Sequence, residues 1–406
     1  MTLPTERSLP SDGAIREADE EYRFDDSLAG DVRDPYPELA EMREATPVVV
    51  GPDGSVTVFR YDDVDRVFRE NETFSSAHLG EMMGPAMGER IILGMDEPEH
   101  RRHRALVAQA FSAKTLARWE EGLVQRVVDE LVAGFRPRGR AELVAEFTAH
   151  FPARVIAGIL GLLDDDHARF QRWTVAIVGL YTDFERGVTA SAELRAYLSE
   201  ILEARRRDPR DDLISALVRA EIDGERLDDE EIFSFLLLLL PAGVETTYRS
   251  SGNLVHLLLT HPEQLDAVRA DRSLIPQAIE EGLRVEPPLL LTGRVATHDT
   301  EIGGVAVRAG AHVTPMLAAA NRDPRRYPDP DRFDIFRDPK QHISFGHGPH
   351  MCLGMHLARM ETRVALDALL DLPHLRPDPA AWERDDPHIH GQVFRSPTSL
   401  PVLFDA

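Results

Sequence analysis

Cysteine is almost absent from this sequence: Cys352 is the only one in 406 residues. A single thiol cannot form a disulfide within the chain, because that bond joins two sulfurs at close range. It also excludes the Cys₄ and Cys₂His₂ zinc sites of small structural modules, which need at least two thiolates. A chain without disulfides is typical of a reducing compartment, so we expect a cytoplasmic protein.

Basic residues are scarce relative to acidic ones. The sequence has 46 Lys and Arg against 70 Asp and Glu, which gives a formal net charge of −24. Such a charge repels surfaces rich in phosphate. We therefore do not expect nucleic acid or an anionic membrane surface as a partner.

The sequence also lacks a long uninterrupted apolar run. The longest one, residues 232–244, is broken by Ser234 and Pro241 and is followed by Glu245. It is shorter than the roughly 20 residues that a helix needs to cross a bilayer. The polar, acidic N-terminus has no export signal, so we expect no membrane anchor and a loosely ordered start of the chain.

Helical periodicity dominates the rest of the chain, with short β-prone stretches between the helices. Residues 47–59 carry β-branched runs around a Pro-Asp-Gly turn, which predicts a hairpin. Residues 295–314 contain short β-prone runs, and residues 393–404 predict a second hairpin. The sequence therefore predicts a mainly α fold with small β-sheets (α+β), in which residues 1–30 form a partly flexible segment and residues 31–406 form one large domain.

One predicted helix is unusually long. Asp228 with Glu231 three residues later is typical of a capping box, and the helical pattern continues to Thr260. At 1.5 Å per residue this helix would be nearly ~50 Å long, enough to cross the molecule. A second helix is predicted from Ser273 to a point before Pro287.

The lone cysteine lies in a glycine-rich loop, residues 345–354, which read FGHGPHMCLG. Apolar residues follow at helical spacing, which predicts that the sulfur lies at a helix N-terminus. Backbone amides and the positive dipole end favour an anionic sulfur there, and Phe345 can shield it from water. By itself a lone cysteine is more often an inert buried side chain, but this loop favours a thiolate ligand to haem iron.

The middle of the long helix changes abruptly from apolar to polar. Residues 236–240 are all leucine, and residues 241–247 read PAGVETT. Buried polar groups need partners or a task. Gly243 has no side chain and Thr246 can donate to the Ala242 carbonyl, so the helix can open into a groove for a small oxygen-bearing ligand. The alternative is an acid and hydroxyls on a solvent-facing side of the helix.

Both segments resemble signatures of the cytochrome P-450 family. The helix is similar to Ala/Gly-Gly-x-Asp/Glu-Thr-Thr/Ser, with Glu245 and Thr246 at the acid and alcohol positions. Pro241 is less usual at its place. The loop is similar to Phe-x-x-Gly-x-Arg/His-x-Cys-x-Gly, and the matching residues are Phe345, Gly348, His350, Cys352 and Gly354.

The resemblance implies the cytochrome P-450 fold, a single large domain in which the long helix lies over haem b (iron protoporphyrin IX). Cys352 is then the axial ligand of the iron, and Phe345, His350 and Gly354 contact the cofactor. Glu245 and Thr246 are implied to be catalytic, delivering protons during oxygen activation. Arginine is more frequent in the family where this chain has His350.

Other family elements also have matches. His100 and Arg104 lie four residues apart on one predicted helix face and resemble a His-x-x-x-Arg element. With Arg294 they are implied to bind the haem propionates. A Glu-x-x-Arg element is matched by residues 281–284, and the resemblance implies a structural cluster of Glu281, Arg284 and Arg332.

Candidate substrate contacts are apolar residues in four stretches of the family pattern. Flexible methionines suit an adaptable apolar wall. The implied substrate is bulky and mostly apolar, either terpenoid or steroid-like or a polyketide such as a macrolide. The candidate contacts are Leu79, Met82, Met83, Met87, Ile91, Leu239, Ala242, Leu290, Leu291, Thr292, Val393 and Phe394.

The resemblance implies a soluble, monomeric mono-oxygenase that hydroxylates this substrate. It would use O₂ and two electrons from NAD(P)H, delivered by a ferredoxin reductase and a ferredoxin. Desaturation, ether or ring formation and carbon–carbon coupling share the same haem chemistry. Arg101, Arg102 and Arg337 form a candidate docking patch for an acidic ferredoxin.

Two alternatives belong to other classes. A zinc-binding protein would use ligand types that zinc accepts, namely His347, His350, Cys352 and His356. A non-catalytic haem sensor would keep Cys352 but would have no need for Glu245 and Thr246.

Overall fold

The computed structural model of the protein describes residues 32–162, 167–179 and 183–405. Helices account for most of this part of the chain and short strands in small sheets for a minor part of the rest, so the predicted mainly α fold is confirmed. The predicted flexible segment, residues 1–30, lies outside the described residues.

The helices fall into two groups that are separated by the start of the long helix. The first group comprises α1 (Tyr36–Ala45), α2 (Tyr61–Arg69), α3 (Ala77–Met87), α4 (Glu99–Ala108), α5 (Ala113–Trp119), α6 (Gln125–Phe135), α7 (Phe151–Ile159), α8 (His167–Val178), α9 (Phe184–Arg207) and α10 (Leu213–Arg219). The second group comprises α11 (Asp229–Leu240), α12 (Thr246–Thr260), α13 (Pro262–Ala270), α14 (Ile275–Val285), α15 (Leu317–Ala320), α16 (Met355–Leu370) and α17 (Pro379–Asp385).

The strands are short and dispersed along the chain. They are β1 (Val48–Val50), β2 (Val56–Val58), β3 (Phe74–Ser75), β4 (Arg140–Glu142), β5 (Glu221–Ile222), β6 (Glu225–Arg226), β7 (Arg294–Ala296), β8 (Thr300–Ile302), β9 (Val305–Val307), β10 (His312–Pro315), β11 (Arg376–Pro377) and β12 (Pro401–Leu403).

The largest sheet has the strand order β1-β2-β10-β7-β3. The predicted hairpin of residues 47–59 is confirmed, because β1 pairs antiparallel with β2 and Val48 lies opposite Val58. β10 adds parallel to β2, and β7 then joins β10 in the antiparallel sense. This sheet carries Arg294 at the start of β7 and so fixes one of the candidate cofactor contacts.

The predicted C-terminal hairpin of residues 393–404 is wrong. β12 pairs with β4 and with β11, which lie elsewhere in the sequence. Phe394 forms an isolated bridge with Leu289. Such short strands carry little register information of their own, and tertiary packing decides which edge they join.

The long helix has the predicted ends but is not uniform. Asp228 caps α11 in a reciprocal capping box with Glu231, and α12 ends at Thr260. Between α11 and α12 lies a π-helical turn, Pro241–Glu245. By length and composition the stretch Asp229–Thr260 could cross a membrane, but 78% of its apolar window is buried inside the protein. It is therefore a core helix, and α6, α14 and α16 pack in the same hydrophobic core.

The Glu281 cluster differs from the prediction in its third member. Arg284 donates to both Glu281 oxygens, each at 2.7 Å, as predicted. The second cation at Glu281 is Arg337, whose Nε lies 3.2 Å from Oε1. The side chain of Arg332 is 65% exposed, and only its carbonyl oxygen joins the cluster. The Asp334 amide also donates to Glu281, so the chain turns there and directs residue 337 inward.

This arrangement predicts unequal effects of two arginine substitutions. Arg337→Ala should lower the free energy of unfolding by about 1–3 kcal/mol, because a buried carboxylate and three carbonyl groups lose a charged donor. Arg332→Ala is the matched control and should change it by less than about 0.5 kcal/mol. Urea denaturation followed by circular dichroism measures both. Equal effects, or a larger effect at Arg332, would contradict the assignment.

Candidate active site

The loop around Cys352 is held at both ends by hydrogen bonds. The Asn321 side chain accepts from the Ile343 amide at 2.8 Å and donates to Ser344 Oγ at 2.7 Å. Ser344 Oγ in turn donates to the Leu283 carbonyl at 2.7 Å. The Cys352 amide closes the loop by donating to the Phe345 carbonyl at 2.8 Å. The loop is thereby fixed to the end of α14.

Gly348 is required by a close approach within this loop. Its φ is +69°, and an added Cβ would lie 2.5 Å from the Phe68 carbonyl oxygen at the end of α2. No side chain fits at that distance. The contact sets how closely the loop approaches α2.

The sulfur of Cys352 lies just before α16, whose first residue is Met355. Burial raises the pKa of the Cys352 thiol, whereas a hydrogen bond from the Gly354 amide and the charges of Arg104 and Arg359 act to lower it. Nearby cations and a donated amide favour the thiolate, which is the form that binds a metal.

Three basic side chains from two other parts of the chain lie near the loop, and a fourth, His350, belongs to it. The rings of His100 and His350 lie 3.9 Å apart, centroid to centroid. Arg104 Nη2 donates to the Met351 carbonyl at 2.6 Å. Arg294 is 3% exposed and donates to the Gly293 carbonyl at 2.6 Å. We call His100, Arg104, Arg294 and His350 the basic cluster.

Within the described ranges, neither Arg104 nor Arg294 forms an ion pair with a carboxylate. Burial lowers the pKa of Arg294 to about 10. Burial, His100 and the two arginines together lower the pKa of His350 to about 3. The Nε2 atom of His350 is buried without a hydrogen-bond partner. Buried cations are costly without a counter-charge, so the cluster fits a ligand with two carboxylates, such as haem.

Two further features of the loop fit a flat cofactor. An added Cβ at Gly354 would meet nothing of the chain within 4 Å, so packing of the protein alone does not require glycine there. The ring of Phe345 lies 4.5 Å from the Arg359 guanidinium carbon. Arg359 forms an ion pair with Glu280, Nε to Oε1 at 2.6 Å. Burial opposes ionisation of Glu280, but hydrogen bonds from Arg359 and His342 lower its pKa to about 2.

Arg359 was not predicted as a site residue. It lies in α16, the helix that the apolar spacing after Cys352 predicts. No signal in that spacing marks Arg359 itself. Arg359 is the cation that braces Phe345, the side chain expected to shield the sulfur.

The π-helical turn leaves part of the long helix exposed. Leu240 and Val244 are buried, yet Ala242 between them is exposed and Gly243 is partly exposed. Thr246 Oγ1 donates to the Ala242 carbonyl at 2.8 Å, which is the predicted bond. Pro241 has no amide hydrogen, and the π turn begins at this residue. The opening lies where the sequence predicts a groove.

Glu245 does not face solvent, which contradicts the alternative of an acid on a solvent-facing side of the helix. It is 2% exposed and accepts a hydrogen bond from Arg249 Nε at 2.5 Å. Residues four apart share a helix face, which explains the contact. Arg249 Nη1 also donates to Ser396 Oγ at 2.9 Å.

The predicted substrate contacts near residue 290 need a correction. Leu290 packs with Tyr36 and Ala318 in a separate small core cluster. Alternate residues of an extended segment point to opposite sides, so Leu289, and not Leu290, lies beside Phe394. Leu291 bridges Met316, and Leu291, Thr292, Val393 and Phe394 are all partly exposed.

The contacts predicted in the first part of the chain are mostly buried. Met82 is an exception, at 45% exposed. Methionine and isoleucine side chains of this stretch and Leu239 of α11 belong to the main core. The buried residues are Leu79, Met83, Met87, Ile91 and Leu239.

The three arginines of the predicted ferredoxin-docking patch differ in exposure, and the docking role stays a prediction. Arg101 is 81% exposed, and its Nε lies 3.3 Å from Glu97 Oε2. Arg102 pairs with Glu225 and Glu231, and Arg337 pairs with Glu281. Each of the three arginines therefore has a carboxylate partner, and Arg101 is the most exposed of them.

The zinc alternative is not supported. Across the part of the chain that the structure describes, no three His, Cys, Asp or Glu side chains are grouped so that they could hold a metal ion. His347 bonds to Asp65, His350 stacks on His100, and His356 is exposed.

Comparison with known proteins identifies the family. The profile of the family described as Cytochrome P-450 matches residues 41–397. The erythromycin C-12 hydroxylase of Saccharopolyspora erythraea is 38% identical, over 90% of this chain and 93% of the relative. The structure of CYP109Q5 from Chondromyces apiculatus is similar with a TM-score of 0.84 and 39% identity, over 92% of this chain and 96% of that one.

A further similar structure contains a ligand: CYP109E1 from Bacillus megaterium in complex with testosterone. Its TM-score is 0.84 at 31% identity, with 92% of this chain and 100% of that chain covered. The chain belongs to the cytochrome P-450 family. It is a mono-oxygenase of that family, which uses haem iron, O₂ and a small-molecule substrate.

The basic cluster predicts that removal of one buried charge weakens cofactor binding. Arg294→Met should speed haem transfer to apomyoglobin about tenfold or more, because a hydrogen bond to a charged group contributes about 1.5–3 kcal/mol. Arg308→Met is the control, since Arg308 is 84% exposed and pairs with Asp299. Equal transfer rates in the two variants would contradict a propionate contact at Arg294.

Proposed function

We propose that this protein hydroxylates a bulky, mostly apolar small molecule, using O₂ and two electrons from NAD(P)H. A ferredoxin reductase and a ferredoxin deliver the electrons, and the enzyme works as a cytoplasmic monomer. The cofactor is haem b, and residues 31–406 act as one domain. The observation that carries the proposal is the basic cluster, whose arginines have no carboxylate partner among the described residues and which adjoins the only thiol in the sequence.

Cofactor binding divides between the sulfur and the basic cluster. Cys352 Sγ binds the iron as thiolate, stabilised by the Gly354 amide and by the charges of Arg104 and Arg359. His100, Arg104, Arg294 and His350 bind the two propionates. When bound, the haem supplies reduction of O₂ and insertion of one oxygen atom into a C–H bond.

Thr246 and Glu245 supply protons. A hydroxyl has one hydrogen, and that of Thr246 is donated to the Ala242 carbonyl. Rotation about χ1 redirects this hydrogen into the opening beside Ala242. Once its bond to Arg249 loosens, the Glu245 carboxylate takes up a proton from water and passes it to Thr246 Oγ1, which replaces the proton that Thr246 has delivered.

The substrate wall is formed by apolar side chains that remain partly exposed, namely Leu289, Leu291, Val393 and Phe394. A wall without charge suits an apolar molecule. Relatives act on or bind such molecules: one is an erythromycin C-12 hydroxylase, and another was solved with testosterone. We therefore propose a macrolide or a steroid-like compound as substrate.

A substrate screen tests the proposal. Purified holoprotein is titrated with macrolides and steroids, testosterone first, and shifts of the Soret band report binding. Hits are then turned over under ¹⁸O₂ with ferredoxin and its reductase. We expect a product that contains one ¹⁸O atom. Binding without any turnover would favour a haem sensor, and turnover without ¹⁸O would favour desaturation or coupling.

A further inference from the structure

The Arg249 side chain contacts two parts of the site that lie far apart in the sequence. Its guanidinium donates from Nε to Glu245 Oε1 at 2.5 Å and from Nη1 to Ser396 Oγ at 2.9 Å. The ring of Phe394 lies 5.6 Å from the guanidinium carbon. One cation therefore contacts the candidate proton donor and the candidate substrate wall.

The segment of residues 393–396 is held by hydrogen bonds at its C-terminal end, whereas its first two residues remain partly exposed. Arg395 is 1% exposed, and it bonds to Glu286 and to several backbone carbonyls. Ser396 is fully buried. Val393 and Phe394, the next residues toward the N-terminus, are partly exposed. A ligand that contacts Phe394 cannot easily displace Arg395 and Ser396, because both are buried and hydrogen-bonded. The contact that changes is therefore the one between the Phe394 ring and the Arg249 guanidinium.

The same movement of the Arg249 guanidinium also changes its contact with Glu245. Arg249 and Glu245 are both buried, and a buried ion pair is sensitive to small changes in geometry. Displacement of the guanidinium from Oε1 lets the Glu245 carboxylate take up a proton from water and pass it to Thr246, the next residue in the chain. The ion pair can therefore keep the Glu245 carboxylate from taking part in proton transfer while no ligand contacts Phe394.

We propose that Arg249 is a positioning residue that couples occupation of the pocket at Phe394 to release of Glu245. The proposal rests on the function proposed above, because it assigns a control to the same proton route. It predicts that electron use is coupled to product only while Arg249 connects the two sites.

Infrared difference spectroscopy tests this on the holoprotein without turnover. The probe is the tightest-binding compound of the Soret screen, with testosterone tried first. The carboxyl band of Glu245, assigned as the band lost in Glu245→Gln, should shift when the probe binds to wild-type protein. The shift should disappear in Arg249→Gln. Arg269→Gln, which removes an arginine paired within α13, should keep it.

Turnover gives the second readout. At saturating probe, the ratio of product to peroxide in Arg249→Gln should be lower than in the wild type, by about fivefold or more for an ordinary allosteric coupling. Arg249→Lys should restore part of the ratio. Ser396→Ala should lower the ratio, whereas Ser250→Ala, which removes a bond to the Thr247 carbonyl, should not.

Either of two outcomes would overturn the inference. In the first, the Glu245 carboxyl band of the wild type does not shift when the probe binds. In the second, Arg249→Gln shows the same band shift and the same product-to-peroxide ratio as the wild type. Failure of the proposed function looks different. In that case the wild type forms no product from any compound, while the infrared comparison still reports whether pocket and acid are linked.

Discussion

Replacement of Cys352 by serine is expected to abolish hydroxylation. The chain has no second cysteine, so no other thiolate can take its place. A serine hydroxyl stays protonated at neutral pH and does not donate electron density to iron as a thiolate does. Product formation should fall below detection while the fold is kept, because the substitution changes one atom.

Two measurements check this result. Circular dichroism should give the wild-type spectrum, and product analysis with the screen's best compound should give none. His356→Gln is the matched control, since His356 is exposed at the start of α16 and lies four residues from Cys352. Wild-type rates in Cys352→Ser would contradict the role of the thiol.

Thr246→Ala should uncouple electron use from product. The variant keeps the π turn, because the lost side chain bonds only to the Ala242 carbonyl of its own helix. It lacks the hydroxyl that delivers a proton, and such groups contribute about 10²-fold or more to rate. We expect product to fall by about 100-fold while NAD(P)H is still consumed and peroxide appears.

Thr246→Ser provides the control, because serine retains the hydroxyl and should recover most of the product. Thr260→Ala, at the other end of α12, should have no effect. Unchanged coupling in Thr246→Ala would exclude the proposed proton route.

Local signals predicted the helical part of the fold well. The capping box at Asp228 and Glu231 fixed the start of the long helix, and His261 with Pro262 fixed its end. The Pro-Asp-Gly turn correctly predicted the first hairpin. These features depend on residues that are neighbours in the sequence, and their geometry follows from backbone chemistry alone.

Long-range pairings were predicted less well. The hairpin of residues 393–404 was wrong, because β12 finds its partners in β4 and β11. Arg332 was chosen for the Glu281 cluster from motif position, but the turn at Asp334 brings Arg337 there instead. Local periodicity indicates neither the partners of β12 nor which arginine reaches Glu281.

The candidate site was predicted in its residue types but not in its connections. The convergence of His100, Arg104 and Arg294 on the Cys352 loop was inferred only through the resemblance. The ion pair of Glu245 with Arg249 was missed, although its i,i+4 spacing is visible in the sequence. Such pairs are so common on helices that spacing alone does not mark them as functional.

The reduced, CO-bound absorption spectrum of the purified wild-type protein tests the central claim most directly. A haem iron bound by the Cys352 thiolate is expected to give the strongly red-shifted Soret band of thiolate haem, and Cys352→Ser should lose that band. Haem bound without the red-shifted band, in protein whose Cys352 is intact and unmodified, would contradict the account.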